Sequence, residues 1–347
     1  MKSPARIGPI TIKEVAQAAG VHFSTVSRAL KPGTRHRVNA QIATHILETA
    51  QRLGYRTNTV ASSLRTRRSY VVGVIVPDIA SLLFPPILEG VESTLLQEGY
   101  MTIVANSAND PARHRKILSA MIERQVDGLI LADATLHDPI LGDRPDAATP
   151  VVLMNRTDET GRAPAVINDD LRGIGLAVRH LAALGHSRIA HIAGPGWLST
   201  GAMRARGFQV AMSECVPAGR KPTVIEAEAF TREAGRAACL RLLGEAPHTT
   251  AIVAANDLLA LGCYDALKEG NVSCPDEMSV TGYNDAPFMD IVSPPLTTAR
   301  IRQREMGIEA ARVLLARMNG QEVSADVLLR PELVVRRSTA APRKPSD

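Results

Sequence analysis

The hydrophobic pattern changes at residue 70, beyond which short apolar runs alternate with segments whose apolar residues recur every three or four positions. A continuous apolar run indicates a strand buried on both faces, and the three-to-four spacing indicates a helix with one buried side. The predicted strands are 71–76, 101–105, 128–132, 151–155, 188–193, 224–227, 251–255 and 278–283. The predicted helices, which separate most of these strands, are 84–98, 113–124, 171–184, 232–243, 258–268 and 304–318. The alternation predicts an α/β body of parallel sheets covered by helices.

The stretch 70–340 is too long for one such unit, and its two similar halves divide near Asn168. We therefore expect two lobes with a cleft between them, in which a ligand would lie at the carboxyl ends of the strands. No GxGxxG motif follows the first strand and no Walker A motif occurs. The sequence thus argues against a nucleotide cofactor, and we predict no cofactor and no metal.

The segment 11–30 has the pattern of a helix-turn-helix. Thr11 and Glu14 have the spacing of a capping box at the start of the first helix. Ala16 is small enough for two helices to cross closely, and Gly20 can take the positive φ of a tight turn. Val26 can close the small core from the second helix. The segment therefore predicts a DNA-gripping hairpin, with an ordinary αα-hairpin as the alternative.

The second helix of this hairpin carries polar and aromatic side chains that a DNA major groove can accept. They are Phe23, Ser24, Thr25, Ser27 and Arg28. A third helix is predicted over 39–53, with Asn39 as its N-cap, and it completes a three-helix core. The loop 31–37 before it is basic enough to contact phosphates, although a solvated loop has the same composition.

Charge separates the first 69 residues from the rest of the chain. They contain 12 Lys and Arg residues against two acidic residues, whereas the whole chain has a net charge of +5. A basic head on a mildly acidic body is typical of a nucleic-acid-binding module joined to another domain. A basic membrane-surface head is the competing interpretation, but its apolar residues are small and are used by the hairpin core.

The segment after the third helix predicts a hinge. Asn58 can cap a helix of about two turns, which is marginal in water on its own. Such a helix would form when docked against DNA and a partner. A simple polar linker remains the alternative.

Length and composition set further bounds. The chain of 347 residues predicts two to three domains. No run of about 18 apolar residues and no secretory-signal pattern occurs, so we expect a cytoplasmic protein without a membrane span. The four scattered cysteines predict reduced thiols, although one bridge between Cys263 and Cys274 stays open.

Motifs along essentially the whole chain resemble those of the LacI/GalR family of bacterial transcription regulators. The matching motifs are TIKEVAQAAGV, STVSRAL, NTVASSLRT, VVGVIVPDIASLLFPPILEGVE, RQVDGLIL, PVVLMNR, HLAALGHSRIAHIAG, STGAMRARGF, AIVAANDLLALGCYDAL, SVTGYNDAPF and PPLTTARI. The resemblance implies a homodimer that binds a palindromic operator and a small-molecule effector. It also implies a body similar to a periplasmic sugar-binding protein, with three crossovers near Asn168, Thr298 and Val327.

The resemblance gives the domain boundaries. The helix-turn-helix domain would be 1–57, the hinge 58–69, the body 70–340 and the tail 341–347. Within the body, lobe 1 would hold 70–168 and 299–326, and lobe 2 would hold 169–298 and 327–340.

The resemblance also implies DNA-contacting residues. Phe23, Ser24 and Arg28 match base-reading positions, and the Arg28 guanidinium can donate two hydrogen bonds to a guanine. Leu64 matches the hinge leucine that the family inserts into the minor groove to kink DNA. The remaining members of the predicted DNA-binding set are Thr11, Thr25, Ser27, Asn58 and Ala61.

Seven positions match the family's effector site: Ser81, Phe84, Asn155, Arg204, Phe230, Asn256 and Asn284. Arg204 offers a planar fork, and Asn256 can both donate and accept hydrogen bonds. Either phenylalanine could instead be ordinary core. Trp197 is a weaker candidate.

Departures from the family pattern adjust these expectations. His22 replaces the serine common before the recognition helix, which predicts a poorer cap. Asn155 and Asn284 stand where sugar-binding members often have aspartates, so Arg204 would be less well neutralised. This predicts a sugar acid or another small carboxylate as effector. The tail lacks apolar heptads, which predicts a dimer without a tetramerisation segment.

Two other functions are alternatives to a transcription regulator. The body alone would suit a solute-binding protein of a transporter, but the basic head and the absent signal pattern argue against it. An enzyme would need a nucleophile motif such as GxSxG, and none is present. His180, His186 and His191 suggest a metal site but fall on a helix end, a turn and a strand.

Overall fold

The computed structural model describes residues 10–30, 32–55, 68–137, 149–216, 222–323 and 325–343. The chain divides into two compact units, Met1–Ser69 and Tyr70–Asp347. We call the first unit the head and the second the body. The division falls where the charge and hydrophobic patterns change.

The head is built from short helices around one small core. Its helices are α1 (Ile12–Ala19), α2 (Phe23–Leu30), α3 (Pro32–Arg35) and α4 (Ala40–Arg52). Ala16 and Val26 are buried in this core, and Gly20 ends α1 with φ +66°, as the spacing predicted. The Asn39 side chain accepts a hydrogen bond from the Gln41 amide at 3.0 Å and caps α4.

A capping box starts α1. The Glu14 carboxylate accepts hydrogen bonds from the Thr11 amide at 2.7 Å and from the Thr11 hydroxyl at 3.0 Å. The carboxylate thereby satisfies the Thr11 amide, which would otherwise have no partner at the start of the helix. The predicted capping box is confirmed.

The segment 31–37, predicted as a loop, contains the single helical turn Pro32–Arg35. The Arg35 Nε group donates a hydrogen bond to the Ala29 carbonyl at 2.9 Å. A basic side chain that satisfies one of the last carbonyls of a helix is a common C-terminal device. It ties the turn back to α2.

Three of the predicted DNA-contacting residues lie outside the described residues. They are the hinge residues Asn58, Ala61 and Leu64, and the hinge therefore stays a prediction.

All eight predicted strands and six predicted body helices are present, with ends within two residues of the expected positions. The first part of the body consists of β1 (Val71–Val76), α5 (Phe84–Gln97), β2 (Met101–Asn106), α6 (Pro111–Glu123), β3 (Gly128–Leu131), β4 (Val151–Met154) and β5 (Ala165–Asn168). The middle part consists of α7 (Asp170–Ala183), β6 (Ile189–Ala193), α8 (Ser199–Cys215), β7 (Thr223–Glu226), α9 (Arg232–Glu245), β8 (Ala251–Ala254), α10 (Asp257–Glu269), β9 (Ser279–Asn284) and β10 (Thr297–Arg300). The last part consists of α11 (Gln303–Met318), β11 (Val327–Leu329) and β12 (Glu332–Val334).

The strands form two six-stranded sheets, one in each lobe. The first sheet has the order β11-β5-β4-β3-β1-β2 and is parallel throughout. The second has the order β12-β10-β9-β8-β6-β7, and only its edge strand β12 is antiparallel to its neighbour. Strands β1, β3, β4, β6, β8 and β9 are buried almost throughout, whereas the edge strands β2 and β7 are only partly buried, contrary to the expectation for their apolar runs. Helices such as α5 and α11 pack on the first sheet.

Two of the predicted lobe boundaries are wrong by a few residues. Ala299 and Arg300 complete β10, because the pairing with β9 continues as far as Arg300 and Asn284. Val327–Leu329 belongs to lobe 1, because it pairs in parallel with Val166–Asn168. The second crossover therefore follows Arg300, and the third follows Leu329.

The end of the body is anchored on the second sheet. Ser338 is fully buried, its hydroxyl donates to the Val280 carbonyl at 2.6 Å, and its carbonyl accepts from the Val280 amide at 2.8 Å. The four cysteines are free thiols, which excludes the bridge between Cys263 and Cys274 in this structure.

No helix in the described ranges is both long and apolar enough to cross a bilayer.

Candidate functional site

The recognition helix α2 presents one buried face and one accessible face. Val26 and Ala29 are buried in the head core, whereas Phe23 is 49% exposed and Arg28 is also exposed. The other three candidates are partly exposed: Ser24, Thr25 and Ser27. The side chains that sequence reasoning assigned to DNA are therefore accessible in the head.

His22 takes the capping position before this helix. Its Nδ1 atom accepts a hydrogen bond from the Ser24 amide at 3.4 Å and lies 2.8 Å from the Ser24 hydroxyl. Its ring packs on Phe23 with 4.3 Å between centroids. The long amide contact agrees with the expected weaker cap. The His22 imidazole thus lies within hydrogen-bonding distance of Ser24 and packs against Phe23, and both residues are predicted to read bases.

A cavity of about 240 Å³ lies between the two lobes and is called the interlobe cleft here. Its walls are loops that follow β1, β2 and β4 in lobe 1 and β6, β7, β8 and β9 in lobe 2. These are the carboxyl ends of parallel strands, where ligands of open α/β sheets bind. The cavity is lined by all seven predicted effector residues: Ser81, Phe84, Asn155, Arg204, Phe230, Asn256 and Asn284.

Three asparagines of the cleft have left-handed backbones. Asn109 and Asn155 follow β2 and β4 with φ values of 53° and 65°, and Asn284, the last residue of β9, has a φ of 115°. Asparagine tolerates this region better than most residues, yet it remains an uncommon conformation for any non-glycine residue. Such strain concentrates at binding sites, because surrounding structure must hold it.

Several buried polar atoms of the cleft have no hydrogen-bond partner among the described residues. These atoms are Oδ1 of Asn155, Oδ1 of Asn284 and Nε of Arg156. Buried polar atoms are rarely left unpaired in folded proteins, because desolvation without a partner is costly. Their convergence on one cavity indicates a site that receives a polar ligand.

Arg204 is not the poorly neutralised cation that the sequence suggested. It is 3% exposed, and its Nε group donates to Asp170 Oδ1 at 3.0 Å. Its Nη1 group donates to the Ala255 carbonyl at 2.9 Å, and its guanidinium lies 4.0 Å from the centre of the Tyr283 ring. The argument for an acidic effector that rested on Arg204 is therefore wrong.

Asp170 begins α7, immediately after the first crossover, and so approaches Arg204 from 34 residues away in sequence. Burial raises the pKa of Asp170, and the charge of Arg204 opposes that shift. Sequence reasoning missed this residue. The only available signal was an acidic residue at the start of a helix next to a predicted crossover.

Arg156 is a second buried arginine of the cleft that sequence reasoning missed. Its Nη1 group donates to Asn109 Oδ1 at 3.0 Å, and it forms no ion pair with the described residues. Burial lowers the pKa of Arg156 to about 10, and the negative charge of Asp133 opposes that shift. Arg156 therefore stays cationic at neutral pH.

Two predicted residues have structural tasks as well as a place in the cleft. Asn256 Oδ1 accepts a hydrogen bond from the Leu259 amide at 2.8 Å and caps α10, and the residue also lines the cleft. Phe84 is 2% exposed and belongs to the core of lobe 1, whereas Phe230 is only half-buried. Trp197, the weaker candidate, lines the cleft and is 50% exposed.

The three histidines that suggested a metal site make separate structural contacts. His180 bonds to the Thr339 hydroxyl at 2.9 Å, and His186 bonds to the Ala340 carbonyl at 2.8 Å. His191 Nδ1 bonds to the Val253 carbonyl at 2.7 Å. Within the described ranges, no three His, Cys, Asp or Glu residues are grouped as a metal site would require.

A helix-turn-helix head followed by a two-lobed body with a polar cleft defines the chain as a DNA-binding transcriptional regulator. Residues 11–58 match the model of bacterial regulatory proteins of the lacI family, and residues 178–339 match a periplasmic binding protein-like domain. The chain is 32% identical over 345 residues to the HTH-type transcriptional regulator reg1 of Streptomyces lividans, covering 95% of this chain and 96% of that protein. The chain belongs to the lacI family.

Further relatives agree with this assignment. The chain is 30% identical over 342 residues to the HTH-type transcriptional repressor CytR of Escherichia coli K12, covering 98% and 99% of the two chains. The lac repressor dimer bound to operator and the anti-inducer ONPF has a similar structure, with a TM-score of 0.85, 27% identity, and coverage of 96% of this chain and 100% of that one. The complex of the transcriptional regulator CelR with cellobiose has a TM-score of 0.73, 28% identity, and coverage of 95% and 99%.

Proposed function

We propose that the protein is a dimeric cytoplasmic repressor that binds an imperfect palindromic operator, and that a small hydroxylated effector in the interlobe cleft sets its operator affinity. The observation that carries the proposal is the convergence of all seven predicted effector residues on one cavity with unpaired buried polar atoms. We infer binding without catalysis, because the buried polar groups of this cavity are chiefly amides and guanidiniums rather than a nucleophile beside a base.

The chemistry of the cleft favours hydroxyl groups over a carboxylate. The Oδ1 atoms of Asn155 and Asn284 are acceptors and require a donor, which a ligand carboxylate cannot supply. A hydroxyl group both donates and accepts, so it can serve these atoms and the Arg156 Nε group. Since Asp170 already neutralises Arg204, no second anion is required there. We therefore propose a neutral, sugar-like effector.

Similarity to solved complexes supports this effector class. One similar structure is a CelR–cellobiose complex, and another is a LacI family regulator from Enterococcus faecium with bound ribose. The latter is 29% identical, covers 79% of this chain and 100% of that chain, and has a TM-score of 0.68. Half-buried Phe230 and exposed Trp197 can cover the apolar face of such a ring.

The edge of the first sheet supports the dimer. Strand β2 is an edge strand, and its Met101 and Ile103 side chains are exposed at 64% and 45%. Leu96, near the end of the preceding helix α5, is also exposed. Large exposed apolar side chains on a strand edge are typical of an interface between subunits. A two-fold dimer would present two recognition helices to two inverted half-sites.

The proposal is tested with the full-length protein and randomised DNA duplexes. Selection is expected to return an imperfect palindrome, and light scattering is expected to show a dimer. Sugars are then added to the complex with the selected duplex, and dissociation is followed by fluorescence anisotropy. Selected sites without two-fold symmetry, or no change in melting temperature or DNA affinity with any sugar, would contradict the proposal.

A matched pair of variants tests the cleft. Asn155→Ala removes an amide from the cavity, whereas Asn271→Ala removes one from an exposed turn. Both positions have left-handed backbones, with φ values of 65° and 53°, so the conformational strain of alanine is similar. Only Asn155→Ala is expected to weaken the effector response. Equal effects of the two variants would remove Asn155 from the site.

A further inference from the structure

A second cavity of about 190 Å³ adjoins the interlobe cleft and is called the Asp133 cavity here. The two cavities share Asn109 and Trp197 as lining residues. All other residues of the Asp133 cavity belong to lobe 1 and follow β2 or β3. Each cavity alone is smaller than the roughly 300–1,000 Å³ of typical ligand sites, whereas the two together fall within that range.

The position of the Asp133 cavity in the sheet favours ligand binding. Strand β1 pairs with β2 on one side and with β3 on the other, so the strand order reverses at β1. Loops that leave the sheet on the two sides of such a switch point diverge and open a crevice at the carboxyl edge. The loop after β3, which carries Asp133 and Thr135, borders this switch point, and the loop after β1 on its other side lines the adjoining interlobe cleft.

A buried pair of titratable side chains lies in this cavity. His114 Nδ1 lies 2.6 Å from Asp133 Oδ2, and both residues are more than nine-tenths buried. The other carboxylate oxygen, Asp133 Oδ1, is also buried and has no hydrogen-bond partner among the described residues. A carboxylate oxygen only accepts hydrogen bonds, so the missing partner must be a donor.

The surrounding charges select the kind of donor. Arg156 lies close enough for its positive charge and the charge of Asp133 to influence each other, and it is joined to Asn109 by a 3.0 Å hydrogen bond. A ligand carboxylate would meet the like charge of Asp133 in a buried setting, which is unfavourable. A further cation is not required, because the positive charge of Arg156 already acts on Asp133 and His114 already bonds its other carboxylate oxygen. A neutral hydroxyl group can donate a hydrogen bond to Asp133 Oδ1 and brings no further charge into the cavity.

We propose that the effector has two linked hydroxylated units, as in a disaccharide. One ring lies in the interlobe cleft, and the second unit lies in the Asp133 cavity, where a hydroxyl group donates to Asp133 Oδ1. Trp197 lines both cavities and provides a continuous aromatic wall beside the link between the units. This inference rests on the proposed function, since it assumes that the cleft binds a sugar-like effector.

The test is calorimetric titration of the full-length protein with single sugars and their disaccharides. The probes are glucose and galactose against cellobiose, maltose, trehalose and lactose. At least one disaccharide is expected to bind about tenfold or more tightly than its component sugars, as one charge-assisted hydrogen bond allows. Asp133→Asn is expected to remove most of that gain while changing the affinity for the single sugar less than twofold.

Two further variants separate the cavity from general effects of burial. Asp158→Asn is the control, because Asp158 is equally buried and also has an unpartnered Oδ1 but lines neither cavity. Thr135→Leu places a larger side chain at the wall of the Asp133 cavity while keeping both members of the pair, and it is expected to abolish the disaccharide advantage. Circular dichroism confirms that each variant is folded.

The outcomes distinguish the two proposals. Binding of single sugars with no disaccharide advantage, or with an advantage that Asp133→Asn and Thr135→Leu leave intact, overturns the two-unit effector and keeps the sugar-responsive cleft. Equal losses in Asp133→Asn and Asp158→Asn also overturn it. If no sugar of either size binds, both proposals fail.

Discussion

The head and the interlobe cleft hold their candidate side chains in opposite ways. In the head, Phe23 and Arg28 project from the accessible face of one short helix, and their neighbours Val26 and Ala29 form the core. In the cleft, Arg204 is buried and depends on Asp170, a residue of another helix. The candidate residues of the head lie on one helix and can be found from its periodicity, whereas the cleft is formed by residues that are far apart in sequence.

The largest expected effect comes from separating the buried charges of the cleft. Asp170→Ala leaves the Arg204 guanidinium buried without its anion, and removal of one partner of a buried pair costs about 3–5 kcal/mol. Urea denaturation is expected to show a loss of this size in the body. The control is Asp265→Ala, which breaks the 2.6 Å pair with the exposed Arg232 and is expected to cost about 1 kcal/mol or less.

A similar cost for the two aspartate variants would break the comparison, because it would show that the Asp170 pair behaves like a surface pair. Asp170→Asn adds a second measurement. The neutral amide can still accept a hydrogen bond from the Arg204 Nε group. If the contribution is mainly charge, Asp170→Asn will resemble Asp170→Ala.

The same contrast explains how much of the molecule could be predicted. Strand and helix positions followed from apolar spacing, because each element buries its own face. The exposed recognition set and the capping box were also local patterns. The partners of Arg204 and Arg156 were not predictable, because Asp170 and Asn109 reach them through tertiary packing that no spacing reveals.

Short or weakly periodic elements were also missed. Helix α8 lacked a clear apolar stripe, and β11 and β12 are only three residues long. Strand β11 joins the first sheet by pairing with β5, a contact between residues about 160 positions apart. The lobe boundary at Val327 therefore depended on pairing rather than on composition.

The second expected effect concerns pH. Burial lowers the pKa of His191 to about 4, from an ordinary value of 6.5. As pH falls from about 6.5 to 4, His191 takes up a proton in the unfolded chain before it does so in the folded body. Protonation therefore favours the unfolded chain, and the free energy of unfolding decreases over this pH range. This shift corresponds to about 3 kcal/mol.

Denaturation curves of the full-length protein and His191→Gln at pH 7 and pH 4 measure this contribution. The variant is expected to lose less stability on acidification than the natural chain. Asp257, whose pKa burial raises to about 7, acts in the opposite direction in both proteins, so their difference isolates His191. His248→Gln, at an exposed position, is the control and is expected to respond to pH like the natural chain. If His191→Gln also lost as much stability on acidification as the natural chain, the burial argument would be contradicted.

The third effect belongs to the exposed head. Arg28→Ala is expected to reduce discrimination between operator and scrambled duplex by about 1–3 kcal/mol, because a guanidinium can donate two hydrogen bonds to guanine. Salt-dependent binding to any duplex should remain, since phosphate contacts supply it. Binding to both duplexes at one salt concentration measures the ratio. Arg52→Ala, at an exposed position of α4, is the control, and an unchanged ratio for Arg28→Ala would exclude a base-reading role.

The smallest expected effect comes from replacing a threonine at a helix N-cap, once in the head and once in the body. Thr11 precedes α1 in the head, and Thr231 precedes α9 in the body, where its hydroxyl oxygen accepts the Ala234 amide at 3.2 Å. Loss of a threonine cap costs about 0.5–2 kcal/mol.

Because the head and the body are separate compact units, each loss should stay within its own unit. Thr11→Ala should accelerate amide hydrogen exchange in α1 and α2 and leave the body strands unchanged. Thr231→Ala should act on α9 and its neighbours alone. The head has a small core of few large side chains, so the same free energy is a larger share of its stability and should weaken operator binding more. If Thr11→Ala instead lowers protection throughout the body, the two units unfold together and the contrast between a local head and a long-range cleft does not extend to their stability.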